Sequence, residues 1–187
     1  MDYICFEQKL AFHAAPALLG IKAANMLSIN KSESDVKENI RYFNEKTDKK
    51  GLRIDILCEC EKKLLLLVYN RRLLEKRLSD QSVKDFLAGY GYASEFSVDE
   101  CIARLSERIR LNENFPHEVG IFLDYPLEDV IGFIENNGAN YKLCGTHKVY
   151  GDEIKAARTF ENYNKCRRFL CNKLNMGNDF YQVLKIS

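Results

Sequence analysis

Apolar side chains recur along this chain with two different periods, and the changes between them mark out its elements. Phe6, Leu10 and His13 fall at helical spacing, which predicts a short first helix that Pro16 ends or kinks, because proline lacks the N–H a helical turn needs. With Pro16 at its first position a second helix then restarts, carrying Leu18, Leu19 and Ile21. Residues 30–35 are polar and rich in capping side chains. Ser32 or Ser34 should cap a helix whose buried stripe is Val36, Ile40 and Phe43 and which stops before Gly51. The period then drops to two. Ile54, Ile56, Cys58 and Cys60 alternate with Asp55, Leu57 and Glu59, as in a strand with one better-buried face. Glu61-Lys62-Lys63 makes a polar turn, and residues 64–69 are apolar throughout, as a central strand requires, so the two strands pair as a hairpin.

Helical spacing returns at 71–78 and 82–88, the second piece stopped by Gly89-Tyr90-Gly91. Ser97 and Glu100 form a capping box ahead of a helix with Val98, Ile102, Leu105 and Ile109 on its apolar face. Residues 119–123 read as a short apolar strand. Asp124-Tyr125-Pro126 turns it into a helix that buries Leu127, Val130, Ile131 and Ile134 and stops at Gly138. Residues 141–143 and 148–150 are short extended pieces around Cys144-Gly145. A long last helix over about 152–174 presents Phe160, Tyr163, Cys166, Leu170 and Leu174 on one side, and residues 176–187 form an edge strand or a loose tail. The sum is a single α+β domain over residues 1–187, a small sheet of about four strands covered by helices.

Composition narrows the function classes. With 187 residues, 46% of them hydrophobic, the chain can bury roughly two thirds of its unfolded surface and needs no cross-links. Lysines plus arginines number 28 and acids 27, so the net charge of +1 supplies no global field for nucleic acid or an anionic membrane, and neither is expected as a partner. No apolar run approaches the roughly 18 residues of a spanning helix, and acids stand near the amino terminus where a signal peptide carries bases. The expected location is therefore the cytoplasm. Seven cysteines at irregular spacings read as reduced thiols rather than a disulfide framework.

Candidate chemistry gathers in residues 115–150. Neither a P-loop nor a dinucleotide fingerprint occurs, which argues against an ATPase, a kinase or an NAD enzyme. The helix start at 124–127 is a wall for an anion pocket, unless Asp124 simply caps the helix. His117-Glu118 stands before one predicted strand and His147 near the end of the next. If those strands are neighbours, two imidazoles and a carboxylate converge at one sheet end; otherwise His117 caps its own turn and His147 faces solvent. Cys144-x-x-His147 and Cys58-x-Cys60 lack the second close pair that structural zinc needs, so no metal is expected. His13 is either a hydrogen-bonded core residue or a ligand contact. Arg71-Arg72 and Arg167-Arg168 are solvated faces or, if they share a groove, an anion site.

The strings FPHE, GIFL, YPLEDV and KVY within 115–150, with HAAPALLGIKAANML near the start and YNKCRRFL in the last helix, form a distinctive set. On them the chain resembles a domain-of-unknown-function family of small bacterial proteins, common in anaerobic Gram-positive bacteria, over residues from about 5 to 172. The family pattern favours cysteine where this chain has Ala14, glycine where it has Asp124, and an aromatic pair where it has Thr146-His147. Those departures weaken cysteine chemistry at the first helix and a shared role for His147. The pattern is matched at His13, Pro16, Lys22, His117, Glu118, Tyr125, Pro126, Gly145, Lys148 and Tyr150. The resemblance brings no activity. It implies a redox or iron-handling context, since such relatives accompany proteins like flavodoxins.

Together these readings give the expectation of a cytoplasmic protein that holds a small anionic ligand or cofactor, of unidentified chemistry, between residues 115–150 and the first helix. His13, Lys22, His117, Glu118, Lys148 and Tyr150 would line it. One alternative is an enzyme with His117 and Glu118 as acid and base and Cys144 as nucleophile. Another is an interaction module whose basic helices, 71–77 and 165–173, dock an acidic redox protein.

Overall fold

A three-stranded antiparallel sheet lies at the centre of the computed structural model, which describes residues 6–32, 35–111 and 114–186. Its strands are β1 (Ala24–Asn30), β2 (Leu52–Glu59) and β3 (Lys63–Asn70), and β3 lies between the other two. β3 is apolar on both faces because it is covered on both. Leu64, Leu66 and Val68 enter one core while Leu67 and Tyr69 enter another, with Ile54 opposite Val68 and Leu27 opposite Leu66.

The first core is closed by α1 (Phe6–Leu18), α2 (Val36–Thr47), part of α8 (Glu153–Asn175) and α9 (Phe180–Val183). The second lies beneath α3 (Arg71–Leu78), α4 (Gln81–Ala88), α5 (Val98–Leu111), α6 (Val119–Phe122) and α7 (Leu127–Glu135). A separate two-stranded ribbon, β4 (Leu143–Cys144) with β5 (Lys148–Val149), sits beside α7. The result is one α+β domain, with three strands in the sheet and two in the ribbon. Among the described residues no helix is long and apolar enough to cross a membrane.

Several local expectations are corrected. Pro16 does not end α1: it lies in the last turns, where the carbonyl it leaves unpaired belongs to the exposed Phe12, and α1 runs through it to Leu18. No helix restarts there. The Pro16 carbonyl accepts from Ile21 and Lys22 N–H, and the chain then enters β1, a strand that spacing alone did not suggest. α2 starts from Asp35, whose side chain makes no capping bond, rather than from Ser32; Ser34 lies outside the described residues.

Residues 119–122 form a helical turn instead of a strand. All of them are buried, so the run carries no periodicity to separate the two. Asp124 does not cap the next helix. It adopts a left-handed φ of 59°, and its Oδ2 accepts the N–H of Ala23 at 3.1 Å, while α7 begins at Leu127 behind Pro126, with no side-chain cap. Residues 180–183 are neither edge strand nor loose tail: Asp179 caps α9, and Phe180, Leu184 and Ile186 are buried in the first core.

Candidate functional site

A cavity of about 700 Å³ opens between α6, α7 and the ribbon. Phe115, Pro116, Val119, Val130 and Phe133 make its apolar walls, and His117, Tyr125, Asp129, His147 and Lys148 contribute polar groups. Gly120 lets the walls approach: a Cβ there would stand 2.8 Å from Val130 Cγ2 and 3.1 Å from Tyr125 Cδ2. The Tyr125 N–H donates to the Gly120 carbonyl at 2.9 Å and holds the turn closed.

Asp129, 3% exposed on α7, ties the ribbon to the cavity. Its Oδ1 accepts from Tyr150 N at 2.7 Å and Gly151 N at 2.9 Å, and its Oδ2 meets His147 Nε2 at 2.8 Å. A carboxylate can only accept, so Nε2 carries the proton and Nδ1 is left as a lone pair. That Nδ1 is buried with no hydrogen-bond partner among the described residues. The imidazole is stacked on Tyr125 at 4.3 Å between centroids and stands edge-on to Phe160 at 5.1 Å. Burial holds its pKa below the ordinary histidine value, with Asp129 pulling the other way.

Lys22 stands behind Tyr125 and is 1% exposed. Its ammonium lies 5.0 Å from the Tyr125 centroid and 5.2 Å from that of Tyr163. It forms no direct ion pair among the described residues; Asp124 supplies the opposing charge. Burial lowers its pKa to about 8, from 10.5, and Asp124 offsets part of the effect. A shift of that size corresponds to roughly 3 kcal/mol against the charged form. A charge kept inside at such a cost is a mark of a functional site.

The expected residues separate. His117, exposed, rests its ring 5.2 Å from Phe133 at the cavity wall. Glu118 turns the other way: it is 0% exposed, is paired with Arg108, and lies 3.4 Å from the Tyr92 hydroxyl. Of the two neighbours, only His117 lines this cavity. Lys148 lines the cavity, its Nζ donating to the Gly138 carbonyl at 2.6 Å and lying 5.0 Å from the Tyr141 centroid. Tyr150 supports the wall from outside. Its hydroxyl donates to the Ala139 carbonyl, and its ring covers Gly132 so closely that a Cβ there would stand 2.5 Å from it.

His13 is far from a buried core residue. It is exposed on α1, edge-on to Phe12, and lines a second cavity of about 580 Å³ with Leu27, Cys171 and Leu174. His147, expected at the solvent face, has a side chain only 8% exposed. Cys144 is exposed and is not among the residues lining the main cavity. Arg72 is exposed, while other arginines of these helices have partners within the fold. Arg71 pairs with Asp99, Arg77 donates to the Tyr125 carbonyl, Arg168 pairs with Glu161, and Arg167 covers the Phe12 ring. No cluster of three metal-ligating side chains occurs among the described residues.

Sequence reasoning missed Asp129. An acid in the first turn of a helix reads as a complement to the helix dipole, and that ordinary role hides its use as an anchor. Tyr125, by contrast, stood in a turn already suspected as a pocket wall.

No curated protein and no solved structure matches the chain. The family model described as Protein of unknown function (DUF3793) matches residues 10–184, a span that takes in Lys22, both walls of the cavity and the ribbon. The chain belongs to that family.

Proposed function

We propose that the protein binds a small anionic ligand or cofactor in the cavity between α6, α7 and the ribbon. The observation that carries this reading is the buried Asp129–His147 pair in the wall of a mostly apolar cavity, with an imidazole nitrogen that has no partner among the described residues. A few placed polar groups among apolar walls are the ordinary build of a small-molecule site, and about 700 Å³ is within the usual size range. The sign of the ligand follows from the lining. Lys148 and His117 face the cavity and Lys22 lies behind Tyr125, while the carboxylate of Asp129 already accepts three hydrogen bonds. Anionic groups are favoured and cations have no free carboxylate to meet in that lining.

The free thiols among the described residues support a reducing, cytoplasmic setting. The redox or iron-related context implied by the family resemblance makes flavin mononucleotide and haem the first probes. A thermal-shift series with these, ATP and benzoate tests the reading. At about 100 times its Kd a true ligand adds ~2.7 kcal/mol, which raises the melting temperature by roughly 5–10 °C in a domain of this size. His147→Phe and Lys148→Ala should each abolish that rise. No shift with any probe, or a shift that both variants retain, would remove the cavity from consideration.

A second reading rests on the same imidazole. With Nε2–H held by Asp129, Nδ1 is the nitrogen that would accept a proton from a bound hydroxyl or N–H, making the protein a proton-transfer enzyme with His147 as base and Asp129 as its positioning residue. Ligand turnover that disappears in both His147→Phe and Asp129→Asn, with ligand binding kept in the latter, would favour this reading over simple binding.

A further inference from the structure

Two thiols stand side by side where β2 runs into its hairpin turn, away from the cavity. Cys58 lies in the last turn of the strand's ladder, opposite Leu65, and Cys60 begins the connection, its N–H donating to the Lys63 carbonyl at 2.9 Å. Their Sγ atoms are 3.7 Å apart. Residues two apart in a strand share a face; Leu57 enters the second core, the ladder shifts register between Ile56 and Cys58, and the thiols stand at the turn end of the hairpin. Cys60 is exposed and Cys58 half-buried. Cysteine ordinarily serves as a small buried hydrophobe; an exposed Cys60 adds little to either core. No other two thiols among the described residues are in contact.

We infer that Cys58 and Cys60 form a reversible dithiol–disulfide site that exchanges two electrons with low-molecular-weight disulfides. The more exposed Cys60 is the entry thiol. As thiolate it attacks one sulfur of the incoming disulfide, whose S–S bond breaks and releases a first thiol. The Cys58 thiolate then attacks Cys60 Sγ in the mixed disulfide, forming the Cys58–Cys60 bond and releasing the second thiol. The protein loses two electrons and two protons, and the small disulfide gains both. The Arg110 guanidinium on α5 favours the Cys58 thiolate, working against the burial and the neighbouring thiol that hold its pKa up.

The backbone permits the bond. Two extended residues span roughly 6.6 Å, at the upper edge of the ~4.4–6.8 Å between α-carbons across a disulfide. A bulge is the place where a ladder yields most readily. The sulfurs then need to close by less than about 2 Å to reach bonding distance.

The test uses the full chain treated with oxidised glutathione, alkylated, and analysed by intact mass and peptide mapping. The expected product has lost two hydrogens, carries its new bond in the peptide that holds both Cys58 and Cys60, and returns to the dithiol with dithiothreitol. Cys58→Ser should instead trap a glutathione adduct on Cys60, and Cys60→Ser should abolish the loss of two hydrogens and slow glutathione attachment to this peptide at least tenfold. Cys144→Ser should leave it unchanged. Full alkylation of both thiols after the oxidant, a stable glutathione adduct on wild-type Cys60, or disulfide-linked dimers through Cys60 would each overturn the assignment. None of these outcomes depends on what the cavity binds.

Discussion

Lys22 keeps a buried ammonium at a cost to the fold. Its desolvation is worth roughly 3 kcal/mol by the pKa argument, and contacts with two tyrosine faces return about 0.5–1 kcal/mol each, so burial wins by about 1–2 kcal/mol. Below pH 8 the ammonium is charged in both the native and the unfolded chain, and the cost is present in full. As pH rises through about 8 the native lysine gives up its proton before the unfolded one does, so stability from this group increases between pH 8 and 10. Lys22→Met keeps the shape and removes the charge. It should be more stable than wild type by ~1–2 kcal/mol at pH 7 and should lack the rise towards pH 9.5, both read by urea denaturation. A methionine variant less stable at pH 7 would mean that the aromatic contacts outweigh burial. Other single residues were legible only in part. Asp124 stands where the backbone is left-handed, with φ 59°, a region that glycine enters without strain. Aspartate tolerates that region and uses its carboxylate on Ala23 N–H. His117 and Glu118 are adjacent in sequence, yet one lines a cavity and the other a core, because a helical turn begins between them and the next residue.

Elements with their own punctuation were readable in advance. The capping box before α5 is present as expected, with Ser97 N–H donating to Glu100 Oε2 at 2.8 Å and Glu100 N–H donating to Ser97 Oγ at 3.3 Å. Ser97→Ala should cost about 1 kcal/mol, measured as a lower urea midpoint with an unchanged slope; an unchanged midpoint would mean that tertiary packing alone holds that helix start. α2, α7, α8 and the β2–β3 hairpin were likewise recognisable from spacing and glycine stops, although the caps expected for α2 and α7 are not the ones found. β1 was not. Its first residues, Ala24-Asn25-Met26, have little strand preference, and the hydrogen bonds that make it a strand come from β3, where Ala24 faces Tyr69. α6 was misread because a run buried on every side shows neither period, and α9 because a single helical turn is too short to show one.

At the scale of the molecule, one sheet separates two cores, and the last residues complete the first of them. Phe180, Leu184 and Ile186 are 2%, 8% and 9% exposed. Burying three such side chains contributes roughly 5–8 kcal/mol, comparable to the whole stability of many domains. Removing residues 178–187 should therefore leave a chain that is largely unfolded at 37 °C, and a truncated protein with an unchanged melting temperature would show that α9 only decorates the surface. The candidate site depends on the same closure. Asp124 and Ala23, 101 positions apart, are joined by a hydrogen bond, and that junction brings Lys22 against the Tyr125 ring beside His147. Spacing and caps were enough to assign most helices and the hairpin, since those hydrogen bonds form within a few residues of one another. The direction in which Asp129, His147 and Lys22 point was set later, when a uniformly apolar run coiled and two cores closed around a shared sheet, because contacts between distant segments exist only once their surfaces have packed.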